Sequence, residues 1–95
     1  MAAFNEFIQQ LKENINLADL IGSYVPLKKH GRYYMASCPF HGPERTPSFA
    51  VSPDKGFYYC FGCHESGDAI TFVEKMDHLT FMEAVRRLAD YAHMD

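Results

Sequence analysis

Two short motifs contain residues that can bind a metal ion. CPFH, residues 38–41, and CFGC, residues 60–63, each place two possible ligands with two residues between them. Soft thiolates together with an imidazole favour zinc, and three cysteines with one histidine form an established closed tetrahedral set. The spacing therefore predicts one structural zinc ion held by Cys38, His41, Cys60 and Cys63.

Other chemistries fit these residues less well. Three cysteines cannot all pair within one chain, which disfavours a disulfide framework. A redox CxxC pair would be expected beside a βαβ unit, which this sequence does not offer. A catalytic zinc keeps one position open for water, whereas four protein ligands close the site. The chain itself is therefore not predicted to be catalytic, and no catalytic residue is assigned.

His64 directly follows the second motif and is a competing ligand candidate. Side chains at adjacent positions point apart in most backbone conformations, so Cys63 and His64 rarely bind the same ion. Choosing His64 would also leave Cys38 without a partner at ligand spacing. We therefore predict that His41 is the fourth ligand and that His64 lies outside the metal site.

The elements around the motifs indicate how they are brought together. Apolar residues recur at helical spacing near the N-terminus, and Asn16 is typical of an N-cap for a second short helix. Between Tyr24 and Phe61 the pattern changes to three or four short strands broken by turns, including one hairpin between the two motifs. Two helices follow, and Thr80 with Glu83 forms a capping box. Residues 1–95 are thus predicted to be one α+β domain, a zinc ribbon with a small antiparallel β-sheet flanked by N- and C-terminal helices.

Charge is unevenly distributed along the chain. The formal net charge is −3, yet residues 28–60 carry five cations and two acids, a net charge of +3. A local basic surface is what phosphate contacts require, whatever the total charge. No apolar run approaches the roughly 20 residues of a membrane helix, and the N-terminus lacks a signal peptide's basic end and apolar stretch. We therefore expect a cytoplasmic protein without membrane contact.

Aromatic residues lie between the cations of this basic region. Aromatic rings stack on unpaired bases while cations bind phosphates, so the mixture favours a single-stranded nucleic acid. The simpler interpretation is that alternate aromatic residues form the core, and strand alternation predicts this for about half of them. The residues predicted to contact nucleic acid are Lys28, Lys29, Arg32, Tyr34, Lys55 and Tyr58.

From about Asn16 to Tyr91 the chain resembles the N-terminal zinc-binding domain of bacterial replicative DNA primases. The resemblance depends on CPFH, TPSF and CFGC at these spacings, together with the helical segment FMEAVRRLA. One position differs, because many members of this family carry a small residue directly after CFGC, where this chain has His64. The zinc assignment does not depend on that position.

The resemblance implies a function and several partners. The family's zinc domain contacts the single-stranded DNA template, helps to select the start site and assists initiation of the RNA primer during DNA replication. It is tethered to an RNA polymerase core with a Toprim fold, which binds Mg²⁺ and on which it can act in cis or in trans. A replicative helicase is expected as a partner of the full-length primase at the bacterial replication fork.

Two interpretations of this chain follow. In the first it is the N-terminal fragment of a DNA primase and binds the template; the catalytic core would lie outside it. In the second it is a structural zinc ribbon that docks on the polymerase core or on another replication protein. The second interpretation predicts negligible DNA affinity for the isolated domain and binding by the polymerase core instead; the two interpretations are compatible with each other.

Overall fold

The computed structural model describes residues 2–40 and 47–94. Two helices come first, four strands and a short edge strand follow, and two helices complete the described chain. Their bounds are α1 Ala2–Glu13, α2 Leu17–Gly22, β1 Lys28–His30, β2 Tyr33–Ala36, β3 Phe49–Ser52, β4 Phe57–Cys60, β5 Ser66–Gly67, α3 Ala69–Asp77 and α4 Phe81–Tyr91. None of the helices in this part of the chain is long and apolar enough to span a membrane.

Side-chain caps determine where three of the helices begin. The Asn16 side chain accepts a hydrogen bond of 3.0 Å from the Asp19 N–H, as predicted for α2. Asp68 caps α3 in the same way. Thr80 and Glu83 form the predicted reciprocal capping box of α4. Each cap satisfies backbone N–H groups that have no partner within the helix.

The described strands form one antiparallel sheet in the order β1-β2-β3-β4-β5. Gly31 in the β1–β2 turn and Gly56 in the β3–β4 turn both have positive φ values, 63° and 69°, which glycine adopts without steric cost. Because neighbouring strands alternate in direction, these two turns lie at the same end of the sheet. The strand ends that carry Cys38 and Cys60 lie at the opposite end.

Helices α2 and α3 pack on one face of this sheet, and α4 packs on α3 and on α1. Phe49 and Val51 of β3 lie opposite Cys60 and Tyr58 of β4, and all four side chains are buried on this side. Phe72 of α3 packs on them, with its ring centroid 5.7 Å from that of Tyr58 and 6.5 Å from that of Phe49. The buried face of the sheet and the inner sides of the helices therefore form a single core.

Strand number is the point at which the fold differs from its prediction. The sequence pattern indicated three or four strands, and the described residues contain a fifth, β5, which pairs with β4 through Tyr58–Gly67 and Tyr59–Ser66. Two residues are too few to show an alternation of apolar and polar side chains. The predicted fold class, a small antiparallel sheet with helices at both ends and a cysteine cluster, is confirmed.

Candidate metal centre and adjacent sheet face

Three cysteines meet at one end of the sheet. Cys38 follows β2, Cys60 is the last residue of β4, and Cys63 lies in the turn after it. Their three Sγ atoms all lie within 4.8 Å of one another, and those of Cys38 and Cys63 are 3.8 Å apart. The hairpin formed by β3 and β4 produces this approach, because it returns the chain to the end of the sheet at which β2 ended.

The geometry of the sulfur atoms fits a tetrahedral zinc ion. Two thiolates about 2.3 Å from one ion, at the tetrahedral angle, lie about 3.8 Å apart. A disulfide would require about 2.05 Å, so the distance of 3.8 Å between Cys38 and Cys63 excludes one between them. The cluster and its donor chemistry thus support the predicted structural zinc.

The surrounding backbone is arranged to stabilise thiolates. The Phe40 N–H donates to Cys38 Sγ at 3.4 Å, and the Cys63 N–H donates to Cys60 Sγ at 3.5 Å. Hydrogen bonds to a charged form favour that form, so these donors promote the deprotonated ligand that a metal requires. A further bond, from the Cys60 N–H to the Glu65 carbonyl at 2.8 Å, closes the turn that contains Cys63.

The structure bears on only one of the two histidine predictions. His64 is exposed and does not belong to the cysteine cluster; its Nδ1 lies 2.7 Å from the Tyr59 hydroxyl instead. Its predicted exclusion from the metal site agrees with this geometry. His41 lies outside the described residues, so its role as fourth ligand stays a prediction.

The second face of the sheet is not covered by any described helix. Opposed residues of antiparallel strands share a face, which places Lys28, Met35, Ala50, Tyr59 and Ser66 in one row across it. A second row joins His30 to Tyr33 and Ser52 to Phe57. The side chains on this face include four aromatic rings, which we call the aromatic face: Tyr33, Phe57, Tyr59 and Phe61.

The aromatic face is an open, mainly apolar depression of about 400 Å³. The four rings line it together with the smaller side chains of Ala50 and Ser52. Three of the rings are well exposed: Tyr33 at 44%, Phe57 at 41% and Phe61 at 65%. Exposed aromatic patches of this kind mark interaction sites more often than an isolated exposed ring does. Phe61 lies between the cysteines of the second metal motif, so the aromatic face borders the metal centre.

Only some of the residues predicted to contact nucleic acid lie near the aromatic face. Lys28 is on that face, opposite Met35. Arg32 and Lys55 are exposed in the two turns at the end remote from the cysteines. Lys29 and Tyr34 oppose each other and belong to the other side of the sheet, where Tyr34 packs against the core.

The prediction that Tyr58 contacts nucleic acid is wrong for this structure. Its side chain is 0% exposed, and its ring packs against those of Phe49 and Phe72 in the core. The physical reason is strand alternation: Phe57 and Tyr59 point to the open face, so Tyr58 must point to the opposite one. The sequence pattern alone did not show which of the two alternating sets of β4 side chains is buried.

The residues predicted to contact nucleic acid include none of the four rings of the aromatic face, and His30 was not predicted to lie on the open side either. Phe61 follows Tyr59 by two positions, so alternation beyond the end of β4 would have placed it correctly. His30 could be placed only through its pairing with Tyr33, which depends on the register of β1 and β2.

Replacing Tyr58 with phenylalanine is expected to raise the free energy of unfolding by about 1 kcal/mol. The Tyr58 hydroxyl is buried without a hydrogen-bond partner among the residues that the structure describes. Burial, with Glu65 and Asp68 nearby, raises its pKa, so it is neutral at physiological pH. Removing an unsatisfied hydroxyl removes its desolvation cost. Thermal and chemical unfolding of the zinc-bound protein would measure the change.

Tyr24 supplies the matched control for this change. Its hydroxyl lies 2.7 Å from a carboxylate oxygen of Asp77, to which it donates a hydrogen bond. Tyr24→Phe should therefore lower stability, by about 1 kcal/mol. A loss of stability in Tyr58→Phe as large as in Tyr24→Phe would show that the Tyr58 hydroxyl is satisfied after all.

Comparison with known proteins identifies the class to which this fold and site belong. The model of the CHC2 zinc finger family matches residues 3–95. The chain therefore belongs to the CHC2 zinc finger family, in agreement with the sheet, the flanking helices and the cysteine cluster.

Its relatives within that family are DNA primases. The chain is 49% identical over 90 residues to the DNA primase of Listeria monocytogenes and 52% identical over 89 residues to that of Halalkalibacterium halodurans. These alignments cover 95% and 94% of this chain but only 14% and 15% of the relatives. The chain thus spans about one seventh of the length of these relatives.

A solved structure shows the same architecture. The crystal structure of the Aquifex aeolicus primase, which contains zinc-binding and RNA polymerase domains, matches with a TM-score of 0.85 at 42% sequence identity. The match covers 92% of this chain and 21% of that one. At this identity the likeness extends beyond the fold, and it confirms the predicted resemblance to the primase zinc-binding domain.

Proposed function

We propose that this chain is the zinc-binding domain of a DNA primase and that it binds the single-stranded DNA template through the aromatic face. The observation that carries the proposal is an uncovered sheet face with four aromatic rings, next to the cysteine cluster and flanked by cations. Stacking on such rings suits unpaired bases, whereas paired bases in a duplex have no free faces. In this role the domain would assist start-site selection and initiation of the RNA primer.

The cations flank the rings on two sides. Lys28 lies at the edge of the sheet, in the same row as Tyr59, and Arg32 and Lys55 lie in the turns beyond Tyr33 and Phe57. A strand whose bases stack on the rings would have its phosphates within reach of these side chains. This arrangement of central rings and peripheral cations is typical of single-strand binding surfaces.

In this proposal the metal ion has a structural role and catalysis takes place in another domain. We propose that Cys38, Cys60, Cys63 and His41 hold one structural zinc ion, which stabilises the end of the sheet that carries Phe61. The catalytic work would belong to an RNA polymerase domain that binds Mg²⁺ and receives the template in cis or in trans. Because the chain is similar to DNA primases, we also propose that the full-length primase associates with a replicative helicase.

Removing a turn cation is expected to weaken binding and flatten its dependence on salt. Arg32→Ala and Lys55→Ala should each reduce the slope of log K against log salt by about 1, because each would remove about one phosphate contact. Fluorescence anisotropy of a labelled mixed-sequence single strand, titrated with the zinc-bound protein at several salt concentrations, measures the slope.

Arg86 gives a matched control, since it is an exposed arginine of α4, a helix remote from the aromatic face. Arg86→Ala should leave affinity and slope unchanged. If all three substitutions changed the affinity and the slope equally, binding would depend only on general charge attraction, which would contradict a specific site.

Docking on protein is the second candidate function. An apolar groove between α1 and α4, with Phe4, Phe7, Met82 and Val85 among its lining residues, is a surface of the required chemistry. This candidate predicts negligible affinity for single-stranded DNA and measurable binding to the polymerase domain of the same primase. The titration above, repeated with that domain in place of DNA, separates the two.

A further inference from the structure

One polar contact connects the turn of the metal centre to the aromatic face. The Tyr59 hydroxyl lies 2.7 Å from Nδ1 of His64, and their ring centroids are 6.0 Å apart. When Nδ1 carries no proton, the hydroxyl donates to it. Both side chains are on the outside of the molecule, so this bond does not belong to the core.

The backbone holds His64 in place for this contact. Its φ is 65°, in the left-handed region, and its N–H donates to the Cys60 carbonyl at 2.8 Å. The turn that brings Cys63 to the cysteine cluster therefore also sets the direction of the His64 ring. Left-handed backbone is uncommon for residues other than glycine, although histidine is among those enriched there.

A second neighbour constrains Tyr59 from another direction. The Phe61 ring lies 4.9 Å from the Tyr59 ring, in an edge-to-face arrangement with an interplanar angle of 73°. Tyr59 is thus held by a ring contact and by a hydrogen bond at its tip. A ring held in this way loses less conformational entropy when a base stacks on it.

We propose that His64 is a positioning residue for nucleic-acid binding, which holds the Tyr59 ring in the orientation that an unpaired base stacks against. The proposal rests on the template-binding function proposed above and adds a residue to it. His64 does not contact the nucleic acid in this role; it acts through Tyr59. The turn after Cys63 thereby shapes the aromatic face as well as the metal centre.

Three substitutions test this role. Tyr59→Phe removes the hydroxyl and keeps the ring. His64→Gly removes the imidazole and tolerates a positive φ. His64→Asn also tolerates this backbone, and its side-chain oxygen can occupy the position of Nδ1 and accept the hydroxyl proton. Binding of a fluorescein-labelled mixed-sequence single strand to the zinc-bound chain is measured for each protein at several salt concentrations.

We expect Tyr59→Phe and His64→Gly each to weaken binding roughly two- to tenfold, the range that one neutral hydrogen bond supplies. The double variant should bind no more weakly than either single variant, because both remove the same bond. His64→Asn should restore most of the affinity. The salt slope should be equal in all of these proteins, since no phosphate contact is lost.

Other results would overturn the proposal. Unchanged affinity in both single variants, or fully additive losses, would show that the bond has no role in binding. A reduced salt slope in His64→Gly would mean that the histidine itself contacts phosphate. If His64→Gly fails to fold, Tyr59→Phe and His64→Asn decide the question. If the unsubstituted protein does not bind the strand, the template-binding function is overturned as well. If it binds and the variants bind equally well, only the role of His64 is overturned.

Discussion

Replacing Cys60 with serine is expected to release zinc and unfold the domain. Cys60 is fully buried at the end of β4, and its sulfur belongs to the cysteine cluster. Structural zinc contributes about 10–16 kcal/mol of apparent binding free energy in zinc-finger peptides, whereas a whole domain is stable by only about 5–15 kcal/mol. A domain of 95 residues therefore has little stability to replace the ion. Zinc content per chain and far-ultraviolet circular dichroism measure the two effects.

The two histidines near the metal motifs allow a sharper form of this test. His41→Ala should release zinc as Cys60→Ser does, because it removes the proposed fourth ligand. His64→Asn should keep one zinc per chain, since His64 lies outside the cysteine cluster. Full zinc retention in His41→Ala, or zinc loss in His64→Asn, would contradict the ligand assignment.

Replacing Gly67 with alanine is expected to lower the free energy of unfolding by about 1–3 kcal/mol. A Cβ atom at this position would lie 2.7 Å from both Cβ and Cγ2 of Thr71 and 3.1 Å from the Tyr58 hydroxyl oxygen. Thr71 Cβ is attached directly to the backbone of α3, so the helix or strand β5 must move. Packed interiors resist such shifts. Thermal unfolding of the zinc-bound protein should show a lower midpoint, by about 4–8 °C per kcal/mol.

Gly22→Ala is the matched control for this substitution. Gly22 is the last residue of α2, and an added Cβ would meet only Leu27 Cδ1, at 3.9 Å, an ordinary contact. Alanine is also the better helix former, so stability should be unchanged or higher. If both variants lost stability equally, the steric explanation for Gly67 would be refuted.

The local signals in the sequence predicted the local structure well. Asn16 caps α2, and Thr80 and Glu83 form the capping box of α4, because each of these bonds joins residues only three positions apart. The spacing within CFGC likewise brings Cys60 and Cys63 to one side of a turn. Such features depend on neighbours along the chain, so short motifs are sufficient to predict them.

Features that depend on the register of the strands, or on pairing of a very short segment, could not be predicted. Strand β5 exists because Ser66 and Gly67 lie beside β4, and nothing in a two-residue segment indicates this. The placement of Lys28 on the aromatic face depends on its register with Met35. A shift of one residue in this pairing would have moved every side chain of β1 to the other face of the sheet. Alternation therefore cannot show which face a side chain lies on unless the register is known.

Residue type and spacing along the chain were enough to predict the class of site, the three cysteines that cluster there and the presence of aromatic residues among cations. Which of those aromatic residues are exposed depends on how the helices pack on the sheet. The helices pack on the side that bears Phe49 and Tyr58, which buries Tyr58 and leaves Phe57 and Tyr59 on the open side. Both faces of β4 have aromatic residues, so burial depended on which face the helices covered, a property of the whole fold.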